Sequence, residues 1–368
     1  MTNAATTTHS TDMNPKGAAP TVLILGAHGR LGLAAARAFD AAGWKVLAQV
    51  RRERDPGLPT SAVLLRTPVT DTTLLSAQAR GASVVVHALN PRYDRWQQEA
   101  MPLLHAGMAV AERLNAQLLL PGNVYAYGES MPARLAPATP MQPSTPHGRV
   151  RLEMEQAIGR RCGRGTLRAT VLTAGDFFGA GRGSWFDQAV VASLHKGKLV
   201  YPGPLDVPHA WAYLPDLAAA MVGVAAADAA RATPFERFMF AGHTLPGAEL
   251  LAAIERAAQS LALSPAGSLR RTGMPWGVIR AIGLIKPTWR ALAQMSYLWR
   301  LPHQLDDSAL RSRIGTLAAT PLQDALAATL RDLFPQGSGP VSAPPSSAGS
   351  AATSAHLSRR ALTSSTAS

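Results

Sequence analysis

Gly26, Gly29 and Gly32 recur at a spacing of three in VLILGAHGRLGLAAARAF, between an apolar run and an Ala-rich stretch. Residues of that type and spacing can cradle a phosphate. The first glycine permits a tight turn, the second lets backbone approach an anion, and the third lets helix and strand pack closely. A helix beginning there offers its free N–H groups to negative charge, so His28, Arg30 and Leu31 join the glycines as candidate dinucleotide contacts. The next apolar run, KVLAQV, ends in Arg51 and Arg52. A domain that prefers NAD usually carries an acidic residue at that point for the ribose hydroxyls. Two guanidinium groups point instead to the 2′-phosphate of NADP. NAD stays open as the alternative, through the nearby Glu53 or Asp55.

Asn90, after HAL at the end of a later apolar run, lies where ligands bind in open α/β sheets. Two loops downstream, DFFGAGRGSWFD and YPGPLDVPHAWAYLPD, gather Asp176, Phe177, Phe178, Trp185, His209, Trp211, Tyr213 and Asp216. Aromatic groups among a few polar ones suit a substrate pocket. Asp216 also stands where PDLAAAMVGV begins and reads as an N-cap, as does Asp71 before TTLLSAQA. The single cysteine, Cys162, closes no intrachain disulfide, and no Cys/His spacing suggests a metal site.

The elements that must position these residues alternate. Apolar runs TVLILG, KVLAQV, SAVLLR, SVVVHAL, QLLLPGNVY, RATVLTAG and RFMFAG are interleaved with helical stretches near 31–42, 101–114 and 150–161. That alternation predicts an α/β fold, a Rossmann-type doubly wound parallel sheet of six or seven strands with helices on both faces. The expected division is a dinucleotide-binding domain over 21–175 and a smaller C-terminal substrate-binding region over 176–335 with segments returning to the sheet. Residues 1–20 and 336–368 are low in complexity and read as disordered tails. The stretch 275–301 interleaves Trp276, Ile279, Ile282, Trp289 and Leu292 with Arg280, Lys286, Arg290 and Arg300. It allows an interfacial membrane helix, but Pro275, Pro287 and Pro302 divide it, and the expectation is substrate-domain core.

Composition bounds the partners. The 368 residues are 47% apolar and 16% charged, which excludes a wholly disordered chain. A formal net charge of +13 raises nucleic acid, yet the arginines are scattered without a basic run or an aromatic RNA-binding strand, and an anionic small molecule accounts for them better. Neither a signal peptide nor an apolar run long enough to span a membrane is visible, so a cytoplasmic protein acting on a small-molecule substrate is expected, with a homodimer left open.

The glycine turn, HALNP, NVYAYGE, AGDFFGAG and WAYLPDLA together resemble the extended and atypical short-chain dehydrogenase/reductase superfamily, and more narrowly its NAD-dependent epimerase/dehydratase branch. The resemblance covers about residues 20 to 330. It implies a nicotinamide cofactor across the strand ends and a Tyr-x-x-x-Lys helix with an upstream Ser or Thr. Here the sequence departs from the pattern. Pro121, Gly122 and Asn123 fall at the Ser/Thr position, His147 falls at the Tyr position and Arg151 at the Lys position. The cofactor-contacting aspartate after the third strand is replaced by Pro68. Asn123 and Tyr125 can donate hydrogen bonds to a carbonyl oxygen, although Tyr125 reads equally as core. His147 can relay a proton, or simply start a helix as an exposed residue, and Arg151 can hold a ribose or phosphate. Two functions follow: an NAD(P)-dependent oxidoreductase or epimerase/dehydratase-like enzyme on a small carbonyl or sugar-like substrate, or a non-catalytic NADP-binding sensor.

Overall fold

Apolar residues in β1 (Thr21–Leu25) alternate faces, Val22 and Ile24 to one side and Leu23 and Leu25 to the other, and all four are fully buried. A strand covered on both faces belongs inside a parallel sheet. The computed structural model describes residues 19–51, 57–228, 231–263 and 269–335. The tails expected at 1–20 and 336–368 therefore lie outside the described residues, apart from 19 and 20. Residues up to Leu333 form one compact unit, and a second begins at Phe334.

Seven strands make the central sheet: β1, β2 (Lys45–Gln49), β3 (Val63–Leu65), β4 (Ala82–His87), β5 (Gln117–Asn123), β7 (Arg168–Ala174) and β11 (Phe235–Phe240). Their order is β11–β7–β5–β4–β1–β2–β3, parallel throughout. The chain reverses its direction of winding between β1 and β4, and the crevice outside their carboxyl ends is where such sheets bind ligands. Helices α1 (Arg30–Ala41) and α5 (Leu214–Ala226) cover one face, where Phe39 and Met221 meet Val22 and Ile24. On the other face α2 (Thr72–Gln78), α3 (Trp96–Leu114) and α4 (Pro146–Gly163) bring Leu104, Met108 and Ile158 against Leu23 and Leu25. Asp71 caps α2 as expected, accepting from the N–H of Leu74 at 3.0 Å.

Short pieces lie beside the carboxyl ends. β8 (Asp176–Phe178), β10 (Pro208–Tyr213) and β12 (His243–Pro246) form a second sheet, β9 (Lys198–Tyr201) pairs with β13 (Arg270–Gly273), and β6 (Arg134–Leu135) pairs with β14 (Gln304–Leu305). Helices α6 (Gly247–Ser260) and α10 (Leu322–Leu333) pack on each other, and α9 (Ser308–Ile314) packs against β11. The expectation for 275–301 is half corrected. Met295–Trp299 is core, but α7 (Trp276–Gly283) and α8 (Pro287–Gln294) form a hairpin whose tip is exposed, because Ile279 and Ala291 are its chief inward anchors.

Candidate active site at the carboxyl ends of the sheet

The glycine turn is held from below. Gly26 has φ +78°, a conformation that L side chains rarely adopt, and its N–H donates to Gln49 Oε1 at 3.2 Å. The carboxamide of Gln49 also donates to the carbonyl of Thr67 at 3.1 Å, and the Thr67 hydroxyl donates to Gln78 at 2.7 Å. This buried glutamine ties the turn to the loop after β3. Sequence reasoning missed it, although one polar residue in the apolar run KVLAQV was a usable signal. A Cβ on Gly32 would collide with the carbonyl oxygen of Gly26, so the third glycine serves close packing. Leu31 has its side chain in the core, which leaves only its N–H to face an anion. His28 is half-buried beside the turn and Gly29 is exposed at its crest.

Arg30 turns away from solvent. Its Nη2 donates to the carbonyl of Gly179 at 2.8 Å, while Nε is buried without a hydrogen-bond partner. Burial lowers its pKa, opposed by the charge of Asp187. The loop it meets is tied at three N–H groups: Asp187 accepts from those of Gly183 and Ser184 at 2.8 and 2.6 Å, and Asp332 accepts from that of Gly181 at 2.9 Å. Arg51 is exposed just past β2, whereas Arg52, Glu53 and Asp55 lie outside the described residues.

A second cluster forms where α4 starts. Thr145 caps the helix, accepting from the N–H of Gly148 at 3.2 Å, and Pro146 occupies its first turn. A Cβ on Gly148 would strike the carbonyl of Tyr125, so this glycine lets α4 lie against the end of β5. His147 and Arg151, one turn apart on α4, both lie on Trp96. The imidazole stacks on the indole with centroids 5.4 Å apart, and the guanidinium carbon lies 4.7 Å from the indole centroid. Arg151 also donates to the carbonyl of Pro121 at 3.1 Å. Burial pulls its pKa down to about 10, against the opposing charges of Glu155 and Tyr125. The Trp96 indole N–H donates to Asn90 Oδ1 at 2.8 Å. Asn90, His147 and Arg151 are thereby joined through Trp96, a residue that sequence reasoning did not single out. His147 is buried, which corrects the expectation of an exposed helix-start residue: the ring of Trp96 covers it. Asn123 ends β5, and its Oδ1 accepts from the N–H of Tyr125 at 3.2 Å. Tyr125 is half-buried, with its phenol near enough to Arg151 to act on that charge.

Beyond β7, His209 Nε2 and Asp176 Oδ2 are 2.8 Å apart. The imidazole stacks flat on Trp299 at 4.3 Å and meets His303 edge-on at 4.5 Å. Trp185 touches both Trp299 and Trp276, beside a cavity of about 250 Å³ lined by Tyr201, Pro202, Met274, Trp276, Ser296 and Arg300. Asp216 is not the N-cap of α5. It accepts from the N–H and hydroxyl of Thr320 at 2.8 and 2.7 Å, fastening the later chain to that helix, whose N-cap is Tyr213. Among the described residues no group of three or more His, Cys, Asp or Glu could hold a metal ion, and no helix is long and apolar enough to cross a membrane.

Known structures share this architecture. UDP-glucose-4-epimerase from Stenotrophomonas maltophila, with bound NAD and formylated UDP-arabinopyranose, superposes with a TM-score of 0.67 at 14% identity, over 85% of this chain and 97% of that one. UDP-glucose 4-epimerase from Bifidobacterium longum, with NAD+ and UDP, gives 0.66 at 15% identity over 85% and 98%. The Bordetella bronchiseptica enzyme WbmH, with NAD+, gives 0.64 at 17% identity over 87% and 100%. A search among curated protein sequences found no match. The sequence model of the NAD dependent epimerase/dehydratase family matches residues 22–236. Because that match is more than half of the chain and runs through both the glycine turn and the start of α4, this protein belongs to the NAD dependent epimerase/dehydratase family.

Proposed function

We propose that the chain is a nicotinamide-dependent enzyme of this family that binds NADP over the glycine turn and acts on a small carbonyl or sugar-like substrate. The observation that carries the reading is the junction of α4 with β5, where Arg151 and His147 are fixed on Trp96 beside Asn123 and Tyr125. The residues fit a dinucleotide. Gly26 keeps the positive φ of a phosphate-binding turn, and Arg30 brings a buried, unpartnered Nε to its edge. The relatives that hold NAD, two of them with a UDP compound, support a nicotinamide cofactor and a sugar-like substrate. When bound, the nicotinamide supplies the carbon that accepts or donates hydride.

Gly26, Gly29 and the first N–H groups of α1, at Arg30, Leu31 and Gly32, would hold the pyrophosphate, with His28 beside them. Arg51, with Arg52 next in sequence, would face a 2′-phosphate, since the described end of β2 carries no carboxylate. Asn90 borders the crevice from β4. Arg151 is a fixed cation suited to ribose hydroxyls, and Tyr125 beside it can give or take a proton at its phenol oxygen. Asn123 presents its amide as a hydrogen-bond donor for a carbonyl oxygen. His147, its ring held by Trp96, is the second candidate for proton transfer. We infer a cytoplasmic protein, and sedimentation would test the homodimer.

Fluorescence titration with NADPH and NADH side by side tests the cofactor, and single-turnover assays with nucleoside diphosphate sugars and small ketones test the chemistry. Selective NADPH binding with turnover is expected. Equal affinity for the two would overturn the NADP assignment. Tight binding with no turnover on any substrate of either class would leave a binding protein in place of an enzyme.

A further inference from the structure

Large apolar side chains exposed on this protein are concentrated in one place. Val278, Leu284, Ile285 and Trp289 are 58%, 78%, 84% and 37% exposed, four of the seven such residues among those described. Single exposed hydrophobes are ordinary, but a cluster within one hairpin marks a contact surface. The hairpin is built to hold its tip outward. Ile279 and Ala291 are its buried anchors, and the indole N–H of Trp276 donates to the carbonyl of Pro202 at 2.6 Å. At Gly283 the helices come so close that a Cβ would lie 3.0 Å from the backbone of Arg290. The Arg290 guanidinium then donates to the carbonyls of Gly283 and Leu284 at 3.0 and 2.9 Å, which fixes the turn that presents Leu284 and Ile285.

The charge around the tip has one sign. Between Arg271 and Asp306 the sequence holds Arg280, Lys286, Arg290 and Arg300 and no acidic residue. On the turn Tyr93–Arg95, against which α8 lies, Asp94 is paired with Arg92, and on α3 Glu99 is paired with Arg95, so neither acid neutralises the hairpin. Apolar side chains projecting beside the exposed Arg280 and Lys286 match the boundary of an anionic bilayer, where the chains enter the acyl region and the cations meet phosphates. A two-fold contact between copies of this hairpin would instead set one cationic face, with Arg280 and Lys286, against another of the same sign.

We propose that the α7–α8 hairpin docks this protein on an anionic phospholipid surface, with Leu284 and Ile285 inserted and Arg280 and Lys286 facing the headgroups. The proposal does not depend on the catalytic reading.

Flotation of the full chain with vesicles of phosphatidylcholine containing about one third phosphatidylglycerol tests it, against vesicles of phosphatidylcholine alone. The protein should float with the anionic vesicles and not the neutral ones, and should be released when salt rises from about 0.05 M to about 0.5 M. Leu284→Asp combined with Ile285→Asp should lower the bound fraction at least about tenfold, and Arg280→Glu with Lys286→Glu should do the same. Circular-dichroism melting of each variant checks that it folds, and these side chains are exposed enough for the melting temperature to stay at the parent value. Absence of flotation overturns the proposal, as does equal flotation of the parent and the Leu284→Asp, Ile285→Asp variant. A dimer that the tip variant abolishes, without vesicle binding, would place a second copy there instead.

Discussion

The resemblance read from the sequence sets Arg151 at the position of a lysine, and the two cations are not interchangeable. Its planar guanidinium both covers the Trp96 ring and donates to Pro121, a flat stacked contact that a primary ammonium, a compact point charge, does not reproduce. Arg151→Lys should therefore weaken cofactor binding about tenfold while the fold persists. Arg151→Ala, which leaves the Pro121 carbonyl unpaired, should also cost about 1–3 kcal/mol of stability. NADPH titration alongside urea unfolding separates the two effects, and an unchanged affinity in both variants would remove Arg151 from the site. Gln49 offers a sharper test because it lies beneath the turn and has no place among the cofactor contacts. Gln49→Leu strands the Gly26 N–H and the Thr67 carbonyl, so it should destabilise by about 2 kcal/mol and loosen the glycine turn. Urea unfolding with NADPH titration reads both outcomes, and full affinity in a destabilised variant would show that the turn holds itself.

Helix α4 carries the candidate chemistry because its start is fixed three times, by the Thr145 cap, by Pro146 in the first turn and by the closeness that Gly148 permits. Thr145→Ala should cost about 1 kcal/mol. It should also raise the KM for substrate more than a remote cap loss such as Asp71→Ala, because only the first of these frees His147 to move. Steady-state kinetics of the two variants at matched stability would check this. At this scale the sequence was most informative. Strand periodicity and the glycine spacing identify all seven strands of the central sheet, SAVLLR at β3 among them, and the start of α1, since each rests on local pattern. The expected 101–114 helix begins earlier, at Trp96, and that first turn brings Trp96 against the candidate residues Asn90, His147 and Arg151. Trp96 was not legible because its partners Asn90, His147 and Arg151 come together only through sheet order, which local periodicity does not encode. Asp216 misled for the same reason: its true partner, Thr320, is brought to it by the return of the distant chain.

The whole molecule keeps two imidazoles neutral inside it. Burial pulls His87 down to about 4, helped by the charge of Arg151 and opposed by the Leu103 carbonyl. It pulls His303 down to about 3, helped by His209 and opposed by the Leu301 carbonyl. In the unfolded chain each would take up a proton near pH 6.5. Below that value the unfolded state binds more protons than the folded one, so the stability these groups contribute is present above about 6.5 and lost as pH falls toward their folded values. Each contributes a slope of about 1.4 kcal/mol per pH unit within its window. Glu155 runs the other way. Burial raises its pKa, opposed by Arg237, so the fold gains from it as pH falls. Burial lowers His243 as well, and hydrogen bonds hold the Glu255 and Asp306 carboxyls low, so Glu155 stands alone on its side and acidification brings a net loss. Urea midpoints measured at about pH 7, 6 and 5 should decline, and His303→Gln, which removes one titrating group from the core, should flatten that decline by about 1.4 kcal/mol per pH unit. A His303→Gln protein with the parent slope would mean that His303 gains its proton in the folded state, and the dry aromatic packing around Trp299 and His209 would have to admit water.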